Sequence, residues 1–515
     1  MSKAFRKGIG RRRFDWRWLL LSTIPLMLAA ALRYPSLFEP RWYADEGIFS
    51  AIGQSLRQGK ELYAQAWDNK PPLIFFSYAF VQGAFGSGVF ALHLVASMVV
   101  IATLFTIMAI GRVLFGTVRS LLAGLLFALL LCTPVIEGNL ALTETFMILP
   151  ISLAVLAFLF AERYEGGRRA IGYAVAGLLI GVAVNYKQVA VFDGAALVLM
   201  AFLTGRRAVA PLVAMAVGFA LPQAAFMALF IHEHAFSQYL YAVMGSLGPY
   251  SRLAPSQSHL LKAAGYLPAL FLAASLVKRR LAGEHVPLQE FPALWLCFAF
   301  AGATSSPYSF PHYLQQAGPA AALTMAGLER PRRALLMTSV AKGAAALLIG
   351  VVIVGRFSVT FKEETRLHPV QYYKSFVSYK SGSLSSDAYR FQFDGTVEAI
   401  DDIVGYIKED NAGDTVYVWG EIPWLYVEGN FTNPTPYFTS FLSEVLPGAR
   451  TRIMHDVEAN LPVYVVVSEN AFAPFDELRS FLDERYNLIH QENDWSIWRL
   501  SNLSANPTLV NLVQP

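Results

Sequence analysis

VFALHLVASMVVIATLFTIMAIG, residues 89–111, is a run of 23 residues with no Lys, Arg, Asp or Glu. At about 1.5 Å of rise per residue a helix of this length crosses the roughly 30 Å hydrocarbon core of a bilayer. In lipid the backbone must be satisfied within a helix or a closed barrel, and an unbroken apolar run of this length points to the helix. Composition agrees: a mean hydropathy of +0.42, with 55% hydrophobic and 15% charged residues, lies outside the range of a soluble globular chain.

Working outward, ten further runs read the same way, at approximately 18–34, 120–135, 144–161, 169–186, 188–204, 209–231, 260–277, 290–304, 312–328 and 335–355. Boundaries are softest in the Pro-rich region 287–319. The sequence therefore predicts a polytopic α-helical membrane protein of about eleven spans. Lys3, Arg6, Lys7, Arg11, Arg12, Arg13 and Arg17 precede the first run as they do in secretory signals. No small-residue cleavage site follows, so an uncleaved first span is expected.

Lys and Arg collect in cytoplasmic loops. Alternate connections carry Arg112 and Arg119; Arg163, Arg168 and Arg169; Arg206 and Arg207; Lys278, Arg279 and Arg280; and Arg330, Arg332 and Arg333. With the basic N-terminus they define an inner face. The net charge of +4 is thus read as topology and not as nucleic-acid affinity. The opposite connections hold Asp45, Glu46, Asp68, Lys70, Glu144, Lys187, His232, His234 and His312, which are expected to share the outer face.

An odd number of spans places the tail beyond about residue 357 outside as well. Richer in Asp, Glu, Asn and Ser, it reads as a small extracytoplasmic α/β domain of roughly 150 residues, a normal domain size. Strands are expected at Thr415–Trp419, Val463–Ser468 and Ser496–Leu500, and helices near 396–410 and 474–486. The predicted division is a transmembrane domain 1–356, with its first outer loop at 35–88, and a soluble domain 357–515. Cys132 and Cys297 both lie in apolar runs and read as buried free thiols.

The first outer loop is too long for a turn, and such segments usually carry function. After Trp42-Tyr43-Ala44-Asp45-Glu46-Gly47 the spacing predicts a helix over Ile48–Arg57. Ile48, Ile52, Ser55 and Leu56 fall on one side and Gln54, Arg57 and Gln58 on the other, as for a helix lying in the membrane interface. Gly59, Leu62-Tyr63 and Trp67-Asp68-Asn69-Lys70-Pro71-Pro72 follow, the prolines stiffening the chain and ending any preceding helix.

The run from Asp45-Glu46-Gly47 through Gly59 and Leu62-Tyr63 to Asp68-Asn69-Lys70-Pro71-Pro72-Leu73 resembles the first outer loop of the family 39 glycosyltransferases of the GT-C superfamily. These are relatives of the protein O-mannosyltransferases and the lipid A aminoarabinose transferase. The specific match spans about 30 residues; the layout of spans plus soluble domain extends it loosely over the chain. The resemblance implies an integral membrane enzyme of a bacterial or archaeal plasma membrane. It would move a sugar from a polyprenyl-phosphate carrier to a glycan, lipid or protein acceptor on the extracytoplasmic side, usually with inversion. Mannose, arabinose, glucose, galactose and aminoarabinose carriers all suit it.

By the same resemblance Asp45 matches the general base, a carboxylate able to take the proton of a weakly nucleophilic hydroxyl. Its structural alternative is a helix cap. Glu46 matches the acidic partner, to orient the base or hold a cation, against a solvated helix-start carboxylate. Lys70 matches the carrier-phosphate lysine, a compact charge suited to a departing phosphate, against an interfacial snorkelling lysine. Glu144 stands where relatives commonly carry Asp, and a helix-start carboxylate also gains from the dipole. Lys187 interrupts an apolar hairpin, and relatives have a similar lysine for phosphate or sugar; a turn residue is the alternative. His312, in Pro311-His312-Tyr313, looks like the His-Tyr opening a late span, able to hydrogen-bond phosphate or sugar.

The sequence specifies no cofactor and leaves a divalent cation open. An outer Asp-Glu pair is able to hold a divalent cation, although a carrier with a single phosphate has less charge to neutralise than a nucleotide sugar. His232-Glu233-His234 resembles a metal site only superficially, because alternate residues of a helix end diverge. Tyr239, Tyr241 and Tyr250 suit sugar stacking or an interfacial belt equally well. Asn430-Phe431-Thr432 and Asn502-Leu503-Ser504 match glycosylation acceptors, which occur often by chance. Two other functions fit parts of the chain: a transporter or flippase of polyprenyl-linked sugars, and an inactive scaffold. The first would place charge near the bilayer centre in repeated halves. Here charge gathers at the outer boundary with no visible repeat.

Overall fold

The computed structural model describes residues 15–204, 209–252, 258–306, 308, 310–328, 368–468, 471, 473–492 and 494–503. The helical part comprises α1 (Trp16–Arg33), α2 (Ala44–Arg57), α3 (Leu73–Phe85), α4 (Val89–Phe115), α5 (Thr117–Leu131), α6 (Thr143–Ala161), α7 (Gly166–Val184), α8 (Val191–Leu203) and α9 (Val209–His232). It continues with α10 (Phe236–Leu240), α11 (Leu247–Arg252), α12 (Ser258–Leu281), α13 (Phe291–Ala303) and α14 (Gly318–Ala326).

All ten candidate spans within the described residues coincide with helical structure, and the eleventh, 335–355, lies outside them, as do the N-terminal basic cluster before Asp15, Arg206, Arg207, Arg330, Arg332 and Arg333. Among the described residues five helices, α1 (continued by a 3-10 turn to Phe38), α4, α6, α7 and α9, are long and apolar enough to cross a membrane; α3, α5 and the segments 188–203 and 288–303 are apolar but shorter. On α9 the exposed Val209, Val213, Val217 and Leu221 form an i, i+4 stripe suited to lipid. Its other face meets α7 at close range. A Cβ on Gly177 would sit 1.9 Å from the Met215 carbonyl oxygen, and one on Gly218 2.0 Å from that of Ala174. Small residues let membrane helices approach this way, since packing replaces the hydrophobic drive in lipid.

The segment between the first two spans departs from expectation. It contains α3, a 13-residue apolar helix, in addition to α2. α2 does not lie in the interface: residues Glu46–Ser55 are buried between α3 and the C-terminal helix Trp424–Gly429. Gln54, expected at water, is 8% exposed and donates to the Tyr426 carbonyl at 3.2 Å. Its amide is satisfied by backbone of the other domain, which makes burial tolerable.

The C-terminal part comprises α15 (Pro369–Lys380), α16 (Ser386–Phe391), α17 (Thr396–Asp410), β1 (Val416–Trp419), α18 (Trp424–Gly429), α19 (Ser440–Val445) and α20 (Ala449–Asn460). β2 (Tyr464–Ser468), α21 (Asp476–Arg485), β3 (Tyr486–Gln491) and β4 (Trp495–Leu500) complete it. The sheet has the order β1-β2-β4-β3, with β1 and β2 parallel and the other pairs antiparallel. The three expected strands and both helices are present. β3 was not expected: YNLIHQ is largely exposed at a sheet edge and carries no inward alternation. α17 buries Val397, Ile400, Ile403, Val404 and Ile407, an apolar stripe at helical spacing. The expected domain boundary at 357 falls outside the described residues.

Candidate active site

Tyr43, in extended backbone, is the N-cap of α2 and makes no side-chain capping bond. Asp45 is therefore not the cap; it occupies the first turn, where the helix dipole favours a carboxylate. It is half-buried, and among the described residues its carboxylate has no hydrogen bond or ion pair. It lies within electrostatic reach of Lys70, Asp68, Lys187 and Tyr250.

Lys70 sits in a self-braced loop. Asp68 accepts from the Lys70 amide at 2.9 Å, Asn69 Oδ1 accepts from Lys70 Nζ at 2.9 Å, and Tyr63 OH donates to the Lys70 carbonyl at 2.8 Å. The loop then starts α3, whose Leu73 amide donates to the Asn185 carbonyl at 3.0 Å, next to Lys187. Burial works against the Lys70 ammonium, but the carboxylates of Asp68 and Asp45 outweigh it and hold its pKa above the ordinary lysine value. Burial pushes the Asp68 carboxyl up, with Lys70 opposing. For Tyr250, burial pushes the phenol to about 12.

Glu144 opens α6 and Lys187 links α7 to α8; the two form a buried ion pair. Lys187 Nζ also lies 3.8 Å from the centroid of the Tyr313 ring, a cation–π contact. Its burial outweighs the pairing with Glu144 and lowers its pKa. His312 begins the 3-10 helix Pro311–Ala317, where its Nδ1 lies 2.5 Å from Glu137 Oε2 and 3.3 Å from Tyr43 OH. It also acts electrostatically on Glu144.

Asp45, Lys70, Glu144, Lys187 and His312, from five separate segments, thus form one connected cluster at the same ends of the helices. Among the described residues, the connections with Arg112 and Arg119 and with Arg163, Arg168 and Arg169 lie at the opposite ends of the helices that flank them. Glu46 faces elsewhere. Its Oε1 accepts from the Ala141 amide at 2.5 Å and lies 3.0 Å from His93 Nε2, so its carboxylate is engaged away from Asp45. The Asp-Glu pair accordingly does not present a joint donor set for a divalent cation. Among the described residues no group of three His, Cys, Asp or Glu side chains is placed to hold a metal, and His232-Glu233-His234 forms none. Both cysteines are buried and free.

Sequence reasoning did not single out Glu137, which carries His312, or Tyr43 and Tyr313. Glu137 follows Pro134-Val135-Ile136 with a left-handed backbone (φ 54°), a place no local pattern marks as functional. Asp68 was noted on the outer face but not placed beside Lys70, although its spacing of two residues is that of an Asx turn.

Residues 69–247 match the family model described as dolichyl-phosphate-mannose-protein mannosyltransferase. No curated protein sequence matches the chain. The crystal structure of ArnT from Cupriavidus metallidurans bound to undecaprenyl phosphate is similar with a TM-score of 0.58 at 14% identity, covering 95% of this chain and 99% of that one. The same protein in its apo state gives 0.59 at 13%, covering 92% and 97%. At such identities the likeness is one of fold. The resemblance read from the first outer loop is borne out in that sense: residues 69–247 match the mannosyltransferase family model, and the chain has the fold of ArnT over nearly its whole length.

Proposed function

We propose that the protein is an integral membrane glycosyltransferase that moves a sugar from a polyprenyl-phosphate carrier to an acceptor on the extracytoplasmic side. The observation that carries this is the convergence of Asp45, Lys70, Glu144, Lys187 and His312 at one set of helix ends. A carboxylate without a partner there faces two lysines. Asp45 takes the proton of the acceptor hydroxyl as its oxygen attacks the anomeric carbon. The carbon–oxygen bond to phosphate breaks on the opposite side, inverting the centre, and Lys70 with Lys187 offsets the charge on the departing phosphate. Glu144 holds Lys187 in place, and His312 hydrogen-bonds the phosphate or a sugar hydroxyl. An apolar groove of about 860 Å³, lined by Ile180, Val191, Val198, Phe202 and Phe219, starts four residues beyond Lys187 and suits the carrier's hydrocarbon tail.

The test is turnover of purified protein supplied with polyprenyl-phosphate sugars and an acceptor. Asp45→Asn is expected to lower turnover about 10²- to 10⁴-fold, the usual worth of a general base, with donor binding retained. Lys70→Ala is expected to weaken donor binding at least about tenfold, or about 1.4 kcal/mol. Wild-type turnover in Asp45→Asn would remove the base. Transfer of labelled carrier between leaflets without any glycosylated product would favour a flippase instead.

A further inference from the structure

Asp45, Glu46 and Gly47 are consecutive on α2, so at 3.6 residues per turn they leave the helix about 100° apart. Each meets a different part of the molecule. Asp45 faces the two lysines. Glu46 grips the membrane part: it binds the Ala141 amide, in the connection that leads to Glu144, and His93, whose Nδ1 lies 2.6 Å from the Ser36 carbonyl. Gly47 faces the soluble domain. A Cβ there would lie 2.8 Å from Pro423 Cγ and 2.9 Å from Trp424 Cδ1, closer than real contacts come.

Trp424 is 1% exposed, and its indole Nε1 donates to the carbonyl of Tyr43, the N-cap residue of α2, at 2.9 Å. The same stretch of the soluble domain holds the rest of the first outer loop. Gln54 donates to Tyr426, Lys60 Nζ to the Asn433 carbonyl at 2.6 Å, and the Trp67 amide to the Pro436 carbonyl at 2.8 Å. The segments carrying Asp45 and Lys70 are thus both tied to residues 423–436.

We propose that the Pro423-Trp424 corner of the soluble domain is a positioning element for Asp45, and that glycine at 47 is the seat it requires. The proposal rests on Asp45 acting as the base. Trp424 touches neither substrate nor reacting atoms; it sets where the first turn of α2 lies. The soluble domain is then part of the catalytic apparatus. A methyl group at 47 must push Trp424 outward or shift α2, and displacements of about 1 Å at a catalytic group cost on the order of 100-fold in rate. Lys70 is braced by its own loop through Tyr63, Asp68 and Asn69, and His312 and Lys187 are held by Glu137 and Glu144, so donor affinity is expected to change less than kcat.

The experiment measures kcat, donor Kd and thermal midpoint for full-length Gly47→Ala, Trp424→Phe, Trp424→Ala and the double variant Gly47→Ala/Trp424→Ala, with Asp45→Asn in the same assay. Gly405→Ala, where an added Cβ meets nothing within 4 Å, is the control. The expected result is a kcat lowered roughly 100-fold in Gly47→Ala with donor Kd within about twofold. Trp424→Phe, which loses the bond to Tyr43 but keeps an aromatic ring, falls less. In the double variant the contact with Trp424 is gone and the one with Pro423 Cγ remains, so adding Gly47→Ala to Trp424→Ala costs less than Gly47→Ala costs the wild type. Wild-type kcat in Gly47→Ala overturns the proposal. So does a variant that lowers only the thermal midpoint while folded molecules turn over normally, or one whose loss is shared equally by donor affinity. If Asp45→Asn is itself silent, the assignment of the base has failed; if Asp45→Asn is inactive and the other variants are not, only the positioning role has.

Discussion

At the scale of single residues, the two lysines of the site differ in what surrounds them. Lys70 has Asp68 and Asp45 and is raised; Lys187 is lowered because burial outweighs its one carboxylate partner. On raising the pH, Lys187 therefore loses its proton first, below the ordinary lysine value of 10.5. A lysine lowered in the folded state is a penalty below its folded pKa that is relieved as pH rises, whereas the contribution of Lys70 persists until pH passes its raised value. If both hold the donor phosphate, affinity begins to decline on the alkaline side with Lys187. Lys187→Arg, charged throughout, is expected to move that decline to higher pH. Donor titrations from about pH 7 to 10 in nanodiscs check it, and an identical profile in the variant would take Lys187 out of phosphate binding.

At the scale of elements, α7 and α9 meet through glycines, and the contact is backbone on backbone. Gly218→Val must force the helices apart at Ala174, and overpacking of this kind costs about 1–3 kcal/mol. Gly167→Ala, at the start of α7 with nothing within 4 Å of an added Cβ, is expected to be neutral. Thermal unfolding of both in the same detergent decides it; an unmoved midpoint in Gly218→Val would mean that the crossing is wider. The pair Gly177 and Gly181 has small-residue i, i+4 spacing that could have marked this face in advance. β3 had no such mark, since an exposed edge strand needs no buried alternation.

For the whole molecule, the contact between the first turn of α2 and the C-terminal residues 423–436 puts both on one side of the membrane if the proposed function holds, which predicts a topology. Cys132 and Cys297 are buried and leave little native background. In sealed cells, a cysteine at Ser383 is expected to react with a membrane-impermeant maleimide. One at Tyr164, in the connection between α6 and α7, is expected to react only after the membrane is opened. Both positions are exposed. The reverse pattern would put Asp45 on the cytoplasmic face and leave an outer-face transfer without its site.

The apolar runs, the alternation of Arg-rich and acidic connections and the β-branched strands were legible in the sequence, because lipid and a sheet interior each select side chains locally. Asp45, Lys70, Glu144, Lys187 and His312 were legible as residues for a related reason: charge at the edge of an apolar run is costly enough to stand out. Their partners were not. Glu137 meets His312 across 175 positions, Glu46 turns to His93 and not to Asp45, and Gly47 answers to Trp424 in another domain. Periodicity reports which face of a helix is buried but not what buries it. The rotation of α2 and the docking of the soluble domain, set by packing among distant segments, decided those contacts.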